Sequence, residues 1–333
     1  CGFVGSHTCV SLINQDYNIL IIDSLINSFE DKFEKIKKIC NRKEIDISGR
    51  IKLLKGDLRD QNWVDQIFTK YIKYKKPIKF VIHFAGLKSI HNSIKSPLEY
   101  WDMNLSCTLS LLSVMKKNKC FNLIFSSSAT VYKPISSRLL KETDTLKPTT
   151  PYGKTKLCIE ETLKDLYHSD QNWRIANLRY FNPVGSHSSN LLLENPKGLS
   201  NNLFPSILKT LRGEQTKLLI YGQDWPTHDG TCVRDFIHVV DLAEAHIATL
   251  KYLKRNKPQI ISINIGTGKG SSVLDIVKTF HSIDGVNFDY DFVERRLGDQ
   301  PYIVADNTLA LKLLDWEPKK SLFNMCNDTL VKN

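Results

Sequence analysis

Apolar and polar positions alternate along the first two-thirds of the chain in two rhythms. Short runs rich in β-branched residues predict strands, and longer amphipathic stretches between them predict helices. The predicted strands are Ile19–Asp23, Ile51–Lys55, 80–85, 123–126 and Arg174–Tyr180, and the predicted helices are about 5–14, 31–40, 62–73, 96–117 and 150–168. Strands that alternate with helices form βαβ units with right-handed crossovers. We therefore predict an α/β fold with a doubly wound parallel sheet of the Rossmann type, and a ligand at the carboxyl ends of its strands.

The pattern loosens after Asn182, where loops with Gly, Pro and polar residues dominate 183–202 and 224–231. A helix and a strand at about 236–266 predict a return to the main sheet, and the rest of the chain reads as a smaller α/β lobe. We therefore predict two interleaved parts. The main domain comprises 1–182, with 236–266 returning to it, and the second lobe comprises 183–235 and 267–333.

Composition excludes several classes of function. With 333 residues, of which 41% are hydrophobic and 24% charged, the chain can bury the core of a large globular protein. No apolar run reaches the roughly eighteen residues of a membrane-spanning helix, so we expect no membrane partner. The net charge of +11 is expected to reflect a solvated basic surface and to suit an acidic ligand such as a pyrophosphate, with no nucleic-acid partner.

The cysteines and histidines show no spacing that indicates a metal site. Eight cysteines are scattered without a CxxC pair, and nine histidines occur without an HExxH motif. We therefore expect reduced thiols, a cytoplasmic protein and no bound metal. The glycosylation sequons that begin at Asn104 and Asn327 are expected to be chance matches.

The first residues of the chain fit the end of a dinucleotide-binding fingerprint. Gly2 and Gly5 match the last two glycines of a Gly-rich turn that lets a helix N-terminus approach a pyrophosphate. Asp23 follows about twenty residues later at the end of a predicted strand, where an acid accepts hydrogen bonds from the adenosine ribose hydroxyls. Because a carboxylate there would repel a 2′-phosphate, the pattern predicts NAD rather than NADP as the cofactor.

The first glycine of this fingerprint and the strand before it would precede Cys1. In a doubly wound order that strand is central, so its loss leaves two strand edges unpaired and exposes apolar surface. We expect the chain as written to fold poorly or to hold NAD weakly, and a version extended upstream to be active. Full turnover with bound NAD in the purified 333-residue chain would contradict this expectation.

A Tyr-x-x-x-Lys pair supplies the candidate catalytic groups. Tyr152 and Lys156 are four residues apart and share one face of the predicted helix. The ammonium of Lys156 and a cationic nicotinamide nearby would favour the phenolate, so we expect a lowered pKa for Tyr152 and a role as general base toward a hydroxyl. The Ser-Ser-Ser-Ala-Thr segment at 126–130 ends the preceding predicted strand, and its hydroxyls would bond the same substrate oxygen.

Six segments together resemble the UDP-galactose 4-epimerase family, a branch of the extended short-chain dehydrogenase/reductases. They are 83–88 (His-Phe-Ala-Gly-Leu-Lys), 125–132 (Phe-Ser-Ser-Ser-Ala-Thr-Val-Tyr), 151–156 (Pro-Tyr-Gly-Lys-Thr-Lys), 179–185 (Arg-Tyr-Phe-Asn-Pro-Val-Gly), 229–235 (Asp-Gly-Thr-Cys-Val-Arg-Asp) and 295–299 (Arg-Arg-Leu-Gly-Asp). They occur in family order across nearly the whole chain. The resemblance implies an NAD-dependent isomerase of galactose metabolism that interconverts UDP-galactose and UDP-glucose. It also implies a homodimer through the helices at 96–117 and 152–168.

The resemblance assigns a role to each matching residue. The catalytic serine, tyrosine and lysine would be Ser128, Tyr152 and Lys156. The NAD site would be lined by Gly2, Phe3, Val4, Gly5, Asp23, Ser24, Leu25, Asn27, Ser28, Asp57, Leu58, Phe84, Ala85, Gly86, Lys88 and Phe181. The UDP-sugar would be held by Ser128, Asn182, Asn202, Arg234, Arg296 and Asp299. The two arginines suit a diphosphate, because a guanidinium gives bidentate, charge-assisted hydrogen bonds.

The mechanism that the resemblance implies is a reversible oxidation at C4 of the sugar. Tyr152 removes the proton of the 4-hydroxyl, NAD takes the hydride, and the 4-keto sugar turns before the hydride returns to its other face. Ile303 matches a pocket-wall position whose bulk limits N-acetylated sugars, and its intermediate size leaves the UDP-GalNAc/UDP-GlcNAc pair open.

Two alternatives remain to the 4-epimerase. A related nucleotide-sugar 4,6-dehydratase or decarboxylase usually carries acids after the catalytic Ser/Thr, whereas Ala129 and Thr130 stand here. An inactive, N-terminally truncated paralogue would show a damaged Tyr/Lys pair, which is intact here.

Overall fold

The structure is a computed structural model that describes residues 1–41, 47–135, 137–194, 202–296 and 298–330. Part of the predicted loop at 183–202, residue 297 of the segment at 295–299 and the last three residues of the predicted second lobe lie outside the described residues. The helices are α1 Phe3–Asn14, α2 Asp31–Asn41, α3 Gln61–Lys73, α4 Ile90–Lys95, α5 Pro97–Trp101, α6 Cys107–Lys117, α7 Pro151–Ser169, α8 Leu203–Leu211, α9 Val239–Arg255, α10 Val273–His281, α11 Thr308–Leu314 and α12 Leu322–Thr329. A π-helical turn spans Asp102–Ser106 and a 3₁₀ turn spans Ala129–Val131. The strands are β1 Ile19–Asp23, β2 Ile51–Lys55, β3 Val81–His83, β4 Asn122–Ser128, β5 Arg174–Tyr180, β6 Asn182–Val184, β7 Leu218–Tyr221, β8 Val233–His238, β9 Gln259–Ile265, β10 Gly270–Ser272, β11 Tyr290–Val293 and β12 Tyr302–Ile303.

The main sheet contains four strands in the order β3-β4-β5-β9, and every neighbouring pair is parallel. The register pairs Ser128 at the end of β4 with Tyr180 at the end of β5. Because all four strands run in one direction, their carboxyl ends meet at one edge of the sheet. Residues that follow these ends are therefore brought together.

Helices cover both faces of this sheet. Side chains of α1, α9 and α11 pack with Ile124 and Ile263 on one face. Side chains of α3, α6 and α7 pack with Leu123 and Phe125 on the other face. Successive residues of β4 thus enter opposite layers, as the alternation of side chains along a strand requires. This arrangement confirms the predicted doubly wound α/β fold.

Strands β1 and β2 form a separate parallel pair, with Ile19 opposite Ile51 and Asp23 opposite Lys55. Among the described residues, no ladder joins this pair to the main sheet. One cleft is lined by residues of both β1 and β3. Within the described residues, β1 pairs only with β2 and β3 only with β4. The expectation about a missing strand, folding and NAD retention stays a prediction.

The segment at 96–117 differs from the single helix that its amphipathic pattern predicts. Pro97 occupies the first turn of α5, and a π-helical turn at Asp102–Ser106 separates α5 from α6. A π turn inserts one additional residue into the helical repeat, which a search for a period of 3.6 cannot detect. The turn carries the buried Asn104, whose side chain is 1% exposed. Burial excludes Asn104 as a glycan acceptor.

The second half of the chain adds two further sheets, one of four short strands and one of two. Strand β8 pairs with β6 and β12 in parallel and with β10 in antiparallel fashion, and β7 pairs with β11. Aromatic side chains of α8, β8 and α10 pack between them, with Phe204 and Phe280 at the centre. The register of β8 and β12 places Arg234 beside Ile303. The division of the chain into two lobes stays a prediction.

Two further properties concern membranes and thiols. In the parts of the chain that the structure describes, no helix combines the length and apolarity needed to cross a bilayer. All eight cysteines are free thiols, and only Cys158 is not fully buried.

Candidate active site

A single large cleft gathers nearly all of the residues predicted for the site. Its volume is about 1690 Å³, and it runs from the first turn of α1, past the ends of β4 and α7, to the segment around Arg296. Every residue predicted to bind cofactor or substrate or to act in catalysis lines this cleft, with the exception of Leu25. Sequence positions up to 302 residues apart, Cys1 and Ile303, therefore meet in one space.

One end of the cleft has the features of a dinucleotide site. Helix α1 begins at Phe3 after the extended Gly2, so the free N–H groups of its first turn lie beside the cleft. Gly5 approaches the ring of Phe84, and a Cβ at this position would lie 3.5 Å from that ring. Asp23 ends β1 with its carboxylate partly exposed to the cleft. These residues fit a dinucleotide with its pyrophosphate at the helix and its ribose at the acid.

Leu25 serves this end of the cleft through its backbone. Its side chain is buried among Ile21, Ile36 and Ile39. Its backbone N–H donates to Asp23 Oδ1 at 2.7 Å, and the Ser28 hydroxyl donates to the same oxygen at 3.1 Å. The turn after β1 therefore orients the carboxylate, and Leu25 is a support for Asp23 rather than a lining residue.

The loop after β3 is held by a residue that the sequence analysis did not assign. Asn104 accepts a hydrogen bond from Leu87 N at 2.7 Å and donates to Leu87 O at 3.1 Å and to Thr155 Oγ1 at 3.1 Å. A Cβ on Gly86 would lie 2.9 Å from the amide oxygen of Asn104. Asn104 thus holds the loop after β3 against helix α7. This loop is the one that the sequence analysis predicts to line the NAD site. The helical periodicity did not reveal the role of Asn104, because the π turn that buries this residue interrupts the repeat.

The three predicted catalytic residues lie at the centre of the cleft. Helix α7 begins at Pro151 with the Thr150 hydroxyl as its N-cap, so Tyr152 lies in the first turn and Lys156 one turn later. Lys156 Nζ donates to Ser126 O at 2.8 Å and lies 5.8 Å from the centroid of the Tyr152 ring. Ser128 ends β4 and hydrogen-bonds to Tyr152. The strand and the helix therefore present a hydroxyl, a phenol and an ammonium to the same space.

Burial dominates the protonation of these groups. It raises the pKa of Tyr152 to about 12, against the opposite effect of the hydrogen bond with Ser128. It lowers the pKa of Lys156 to about 8. The lowered pKa expected for Tyr152 is thus not produced by the protein groups alone. The reason is geometric, since the Lys156 ammonium donates to a backbone carbonyl and not to the phenol.

The opposite end of the cleft carries two arginines around one carboxylate. Arg296 Nε lies 3.2 Å from Asp299 Oδ2, and Arg234 Nη2 lies 3.8 Å from Asp299 Oδ1. Arg234 Nη1 also donates to Gln300 O at 2.7 Å. The guanidinium of Arg296 stacks 4.9 Å from the ring of Tyr221, a lining residue that the sequence analysis did not name. This end therefore offers two guanidinium groups and an aromatic face, which suit a nucleoside diphosphate.

Asp57 and a cluster of three possible metal ligands both have hydrogen-bond partners close to them in the structure. Asp57 accepts from Arg59 Nη2 at 2.7 Å, and this pairing lowers the pKa of the carboxyl. A group of three possible metal ligands, His228, Asp229 and Asp275, lies outside the residues that line the cleft. Both of these acids accept hydrogen bonds from Ser272, so local structure accounts for their proximity.

Comparison with known proteins gives consistent matches. The sequence pattern of the NAD dependent epimerase/dehydratase family matches residues 1–266. The chain is 41% identical over 328 residues to the UDP-glucose 4-epimerase of Bacillus subtilis (strain 168), across 98% of this chain and 93% of that protein. It is 43% identical over 335 residues to the bifunctional protein gal10 of Schizosaccharomyces pombe, across 98% of this chain but 45% of that longer protein. A crystal structure of UDP-glucose 4-epimerase from Stenotrophomonas maltophila with bound NAD and formylated UDP-arabinopyranose matches with a TM-score of 0.92 and 40% identity, over 98% of this chain and 94% of that one.

The fold and the cleft define the class of the protein: an α/β enzyme with a dinucleotide end, a Tyr/Lys pair and an anion-binding end. Within this class, the chain belongs to the NAD-dependent epimerase/dehydratase family. The predicted family, fold class and NAD cofactor are confirmed. The role of each site residue stays a prediction.

Proposed function

We propose that the protein is an NAD-dependent UDP-glucose 4-epimerase that interconverts UDP-galactose and UDP-glucose through a 4-keto intermediate. The observation that carries this proposal is the set of groups gathered in one cleft: Ser128, Tyr152 and Lys156 line the same cleft as the dinucleotide-site residues and the arginine pair. The relatives support it, since the Bacillus subtilis relative is a UDP-glucose 4-epimerase. The Stenotrophomonas maltophila structure, which holds NAD and a UDP-sugar derivative, supports it as well.

The residues of the centre suit removal of a hydroxyl proton. Ser128 would bond the 4-hydroxyl of the sugar and align it with the Tyr152 oxygen. Tyr152 would take the proton as the hydride leaves C4. Bound NAD supplies the hydride acceptor and, in its oxidised form, a positive charge that opposes the effect of burial on the Tyr152 pKa. Lys156 adds a second positive charge on the same face of α7.

A substitution at Tyr152 tests this function. In a coupled assay of UDP-galactose to UDP-glucose conversion, Tyr152→Phe should lower kcat by about 10²–10⁴-fold, the usual contribution of a general base. Binding of UDP, measured by calorimetry, should remain. Tyr167→Phe is the matched control: it removes a phenol from the same helix, and its hydroxyl contacts only Pro258 O at 3.5 Å. Full activity of Tyr152→Phe would remove Tyr152 from its proposed role, and a folded, NAD-loaded wild type without turnover would count against the function.

We also propose a homodimer through α5, α6 and α7. Large apolar side chains are exposed on this side of the molecule, with Leu98 82% and Leu109 43% exposed. Burying two such side chains in a partner surface contributes about 1.5–3 kcal/mol each. Light scattering coupled to size exclusion should show a dimer for the wild type and a monomer for Leu98→Lys/Leu109→Lys. The control Leu311→Lys changes a leucine that is 50% exposed on α11 and should remain dimeric. A dimer that persists in the double variant would contradict this interface.

The proposed location is the cytoplasm, on the basis of the thiols. Eight free cysteines suit a reducing compartment, whereas secreted proteins of similar cysteine content generally form disulfides. Fractionation of the source cells should recover the protein with a cytoplasmic marker. Recovery with the membrane or the medium would contradict the proposal.

A further inference from the structure

A buried ion pair lies directly behind the candidate catalytic groups. Glu160 of α7 and Arg179 of β5 are each 4% exposed in their side chains. Arg179 donates from Nη2 to Glu160 Oε2 at 2.7 Å and from Nε to Oε1 at 3.1 Å. The pair is thus bidentate and excluded from water, the geometry in which such a pair is strongest.

This pair is connected to the strand that carries Ser128. Tyr152, Lys156 and Glu160 follow one another at intervals of four on the same face of α7. Three consecutive residues of β4 interact with these side chains. Ser128 interacts with the Tyr152 phenol, the Ser126 carbonyl accepts from Lys156, and the Ser127 hydroxyl donates to Glu160. The end of β4 is therefore attached to α7 at three successive points, of which the catalytic pair supplies only two.

The guanidinium of Arg179 is fixed on its other side. Its Nη1 donates to the Tyr132 hydroxyl at 2.9 Å and to Glu142 O at 3.1 Å. The Tyr132 hydroxyl in turn donates to Asn264 Oδ1 at 2.6 Å. Tyr132 follows directly after the 3₁₀ turn whose Thr130 bonds to Ser128. The network therefore encloses the strand end from both sides.

Stability alone does not explain this arrangement. A buried ion pair is often no more stabilising than a well-packed apolar pair of the same volume, because both charges lose their hydration. A charge buried beside a reaction centre also changes the protonation of its neighbours.

We propose that Glu160 is a positioning residue for the epimerase reaction: through Ser127 it sets the end of β4 against Tyr152 and Lys156, and Arg179 holds the carboxylate in place. This proposal rests on the proposed function. Glu160 touches neither cofactor nor substrate in this account and acts only through Ser127 and through its charge.

The charge of Glu160 has no competitor among the neighbouring groups. The titratable groups that face Tyr152 and Lys156 from the packed elements, within the described residues, are His83, Tyr100, Cys107, Glu160 and Tyr180. Burial lowers the pKa of His83 to about 3, so its ring is neutral, and burial raises the pKa of Cys107 to about 11. Burial likewise raises the pKa of both tyrosines. Glu160 is therefore the only carboxyl group of this set, and it opposes the lowering of the Lys156 pKa by burial.

The first test uses variants that preserve shape. Ser127→Ala removes only the connection, and Glu160→Gln removes the charge. Each should lower kcat by about tenfold, the ratio that corresponds to one pKa unit, while KM for UDP-galactose changes by less than about twofold. Because loss of the anion lowers the pKa of Lys156 further, the high-pH limb of kcat, where Lys156 loses its proton, should move to lower pH in Glu160→Gln. The control Glu161→Gln, at the exposed neighbouring position of α7, should match the wild type. Wild-type kcat in Ser127→Ala, or a wild-type pH profile in Glu160→Gln, overturns the proposal.

The second test separates positioning from stabilisation. Glu160→Leu/Arg179→Met replaces both charges with apolar side chains and should unfold at a urea concentration close to that of the wild type. Its kcat should nevertheless stay at least about fivefold below the wild-type value. Recovery of full kcat together with stability would show that the pair serves only the fold, and would overturn the proposal.

A direct titration keeps the two proposals distinguishable. A folded, NAD-loaded wild type without turnover counts against the 4-epimerase function, and the coupling between Glu160 and Tyr152 can still be measured by titrating the Tyr152 phenol. The ultraviolet titration of Tyr152, isolated as the difference from Tyr152→Phe, should shift to lower pH in Glu160→Gln, because removal of a neighbouring anion favours the phenolate. An unchanged titration overturns the positioning role independently of turnover.

Discussion

The glycine that follows the candidate base tests how closely α7 packs against the catalytic strand. A Cβ added at Gly153 would lie 2.6 Å from Thr130 O and 2.9 Å from Pro148 Cβ. The first of these neighbours is backbone of the 3₁₀ turn after Ser128, so it cannot rotate away as a flexible side chain can. Gly153→Ala therefore forces α7 and this turn apart.

Two effects of opposite sign decide the outcome. Alanine is more favourable than glycine inside a helix by about 1 kcal/mol. The distance from the added Cβ to Thr130 O, however, is roughly 0.7 Å shorter than an ordinary C···O contact. Overpacking of this kind costs about 1–3 kcal/mol. Steric conflict should prevail, with a net loss of about 1 kcal/mol and a fall in Tm of roughly 1–2 °C. Activity should fall further than stability, because a displacement near 1 Å at reacting groups costs up to about 10²-fold in rate.

Gly5→Ala is the matched control for the stability measurement. Gly5 also lies in a helix, and an added Cβ would meet the Phe84 ring at 3.5 Å, an ordinary contact. Thermal unfolding should therefore show Gly5→Ala at or above the wild-type Tm and Gly153→Ala below it. A Gly153→Ala variant as stable and as active as the wild type would refute the steric account of this junction.

Three further predictions concern acid, phosphate and sugar recognition. Burial lowers the pKa of His7 and His83 to about 3 and that of His238 and His246 to about 4. Since the unfolded rings titrate near 6.5, stability should be complete above that pH and fall below it, by about 1.4 kcal/mol per ring at pH 5.5. Asp235, whose pKa burial raises to about 6, offsets a smaller part of this loss of stability. A urea midpoint that is unchanged between pH 7.5 and 5.5 would contradict the predicted loss. Arg234→Lys should raise KM for UDP-galactose by about tenfold with little change in kcat, because it loses a bidentate phosphate contact; an unchanged KM would exclude that contact. Ile303→Gly should increase turnover of UDP-GalNAc relative to UDP-galactose, and an unchanged ratio would show that Ile303 does not form the limiting wall.

Local patterning predicted much of the main domain. The strands Ile19–Asp23, Ile51–Lys55 and Arg174–Tyr180 begin and end where the sequence places them. Their β-branched residues lie between Gly, Asn or charged segments, so the pattern and the boundaries agree. The strand predicted at 80–85 is shorter, because only Val81–His83 pairs with β4 before the chain turns into the loop at Gly86.

The parts that the sequence could not predict depend on contacts between distant residues. The local sequence around Glu160 and Arg179 does not predict their contact, since Glu160 belongs to a helix and Arg179 to a strand nineteen positions later. Leu25 looked like a lining residue, yet it adopts a positive φ of 57° that turns its side chain into the core. Asn104 was hidden by a π turn in an amphipathic run. In each case tertiary packing determines the role, and periodicity carries no information about it.

The distribution of charge along the cleft explains how one site can act on both faces of a sugar. Under the proposed assignment, the diphosphate is held by Arg234 and Arg296 through charge-assisted bonds, which are about twice as strong as neutral ones. Neutral side chains such as Thr130, Asn182 and Ile303 also line the cleft. Lys156 donates one of its hydrogen bonds to the Ser126 carbonyl. The sugar ring can therefore exchange weak hydrogen bonds and turn while UDP stays bound. A site that gripped the sugar as strongly as the diphosphate would stabilise one epimer and slow the return of the hydride to the other face.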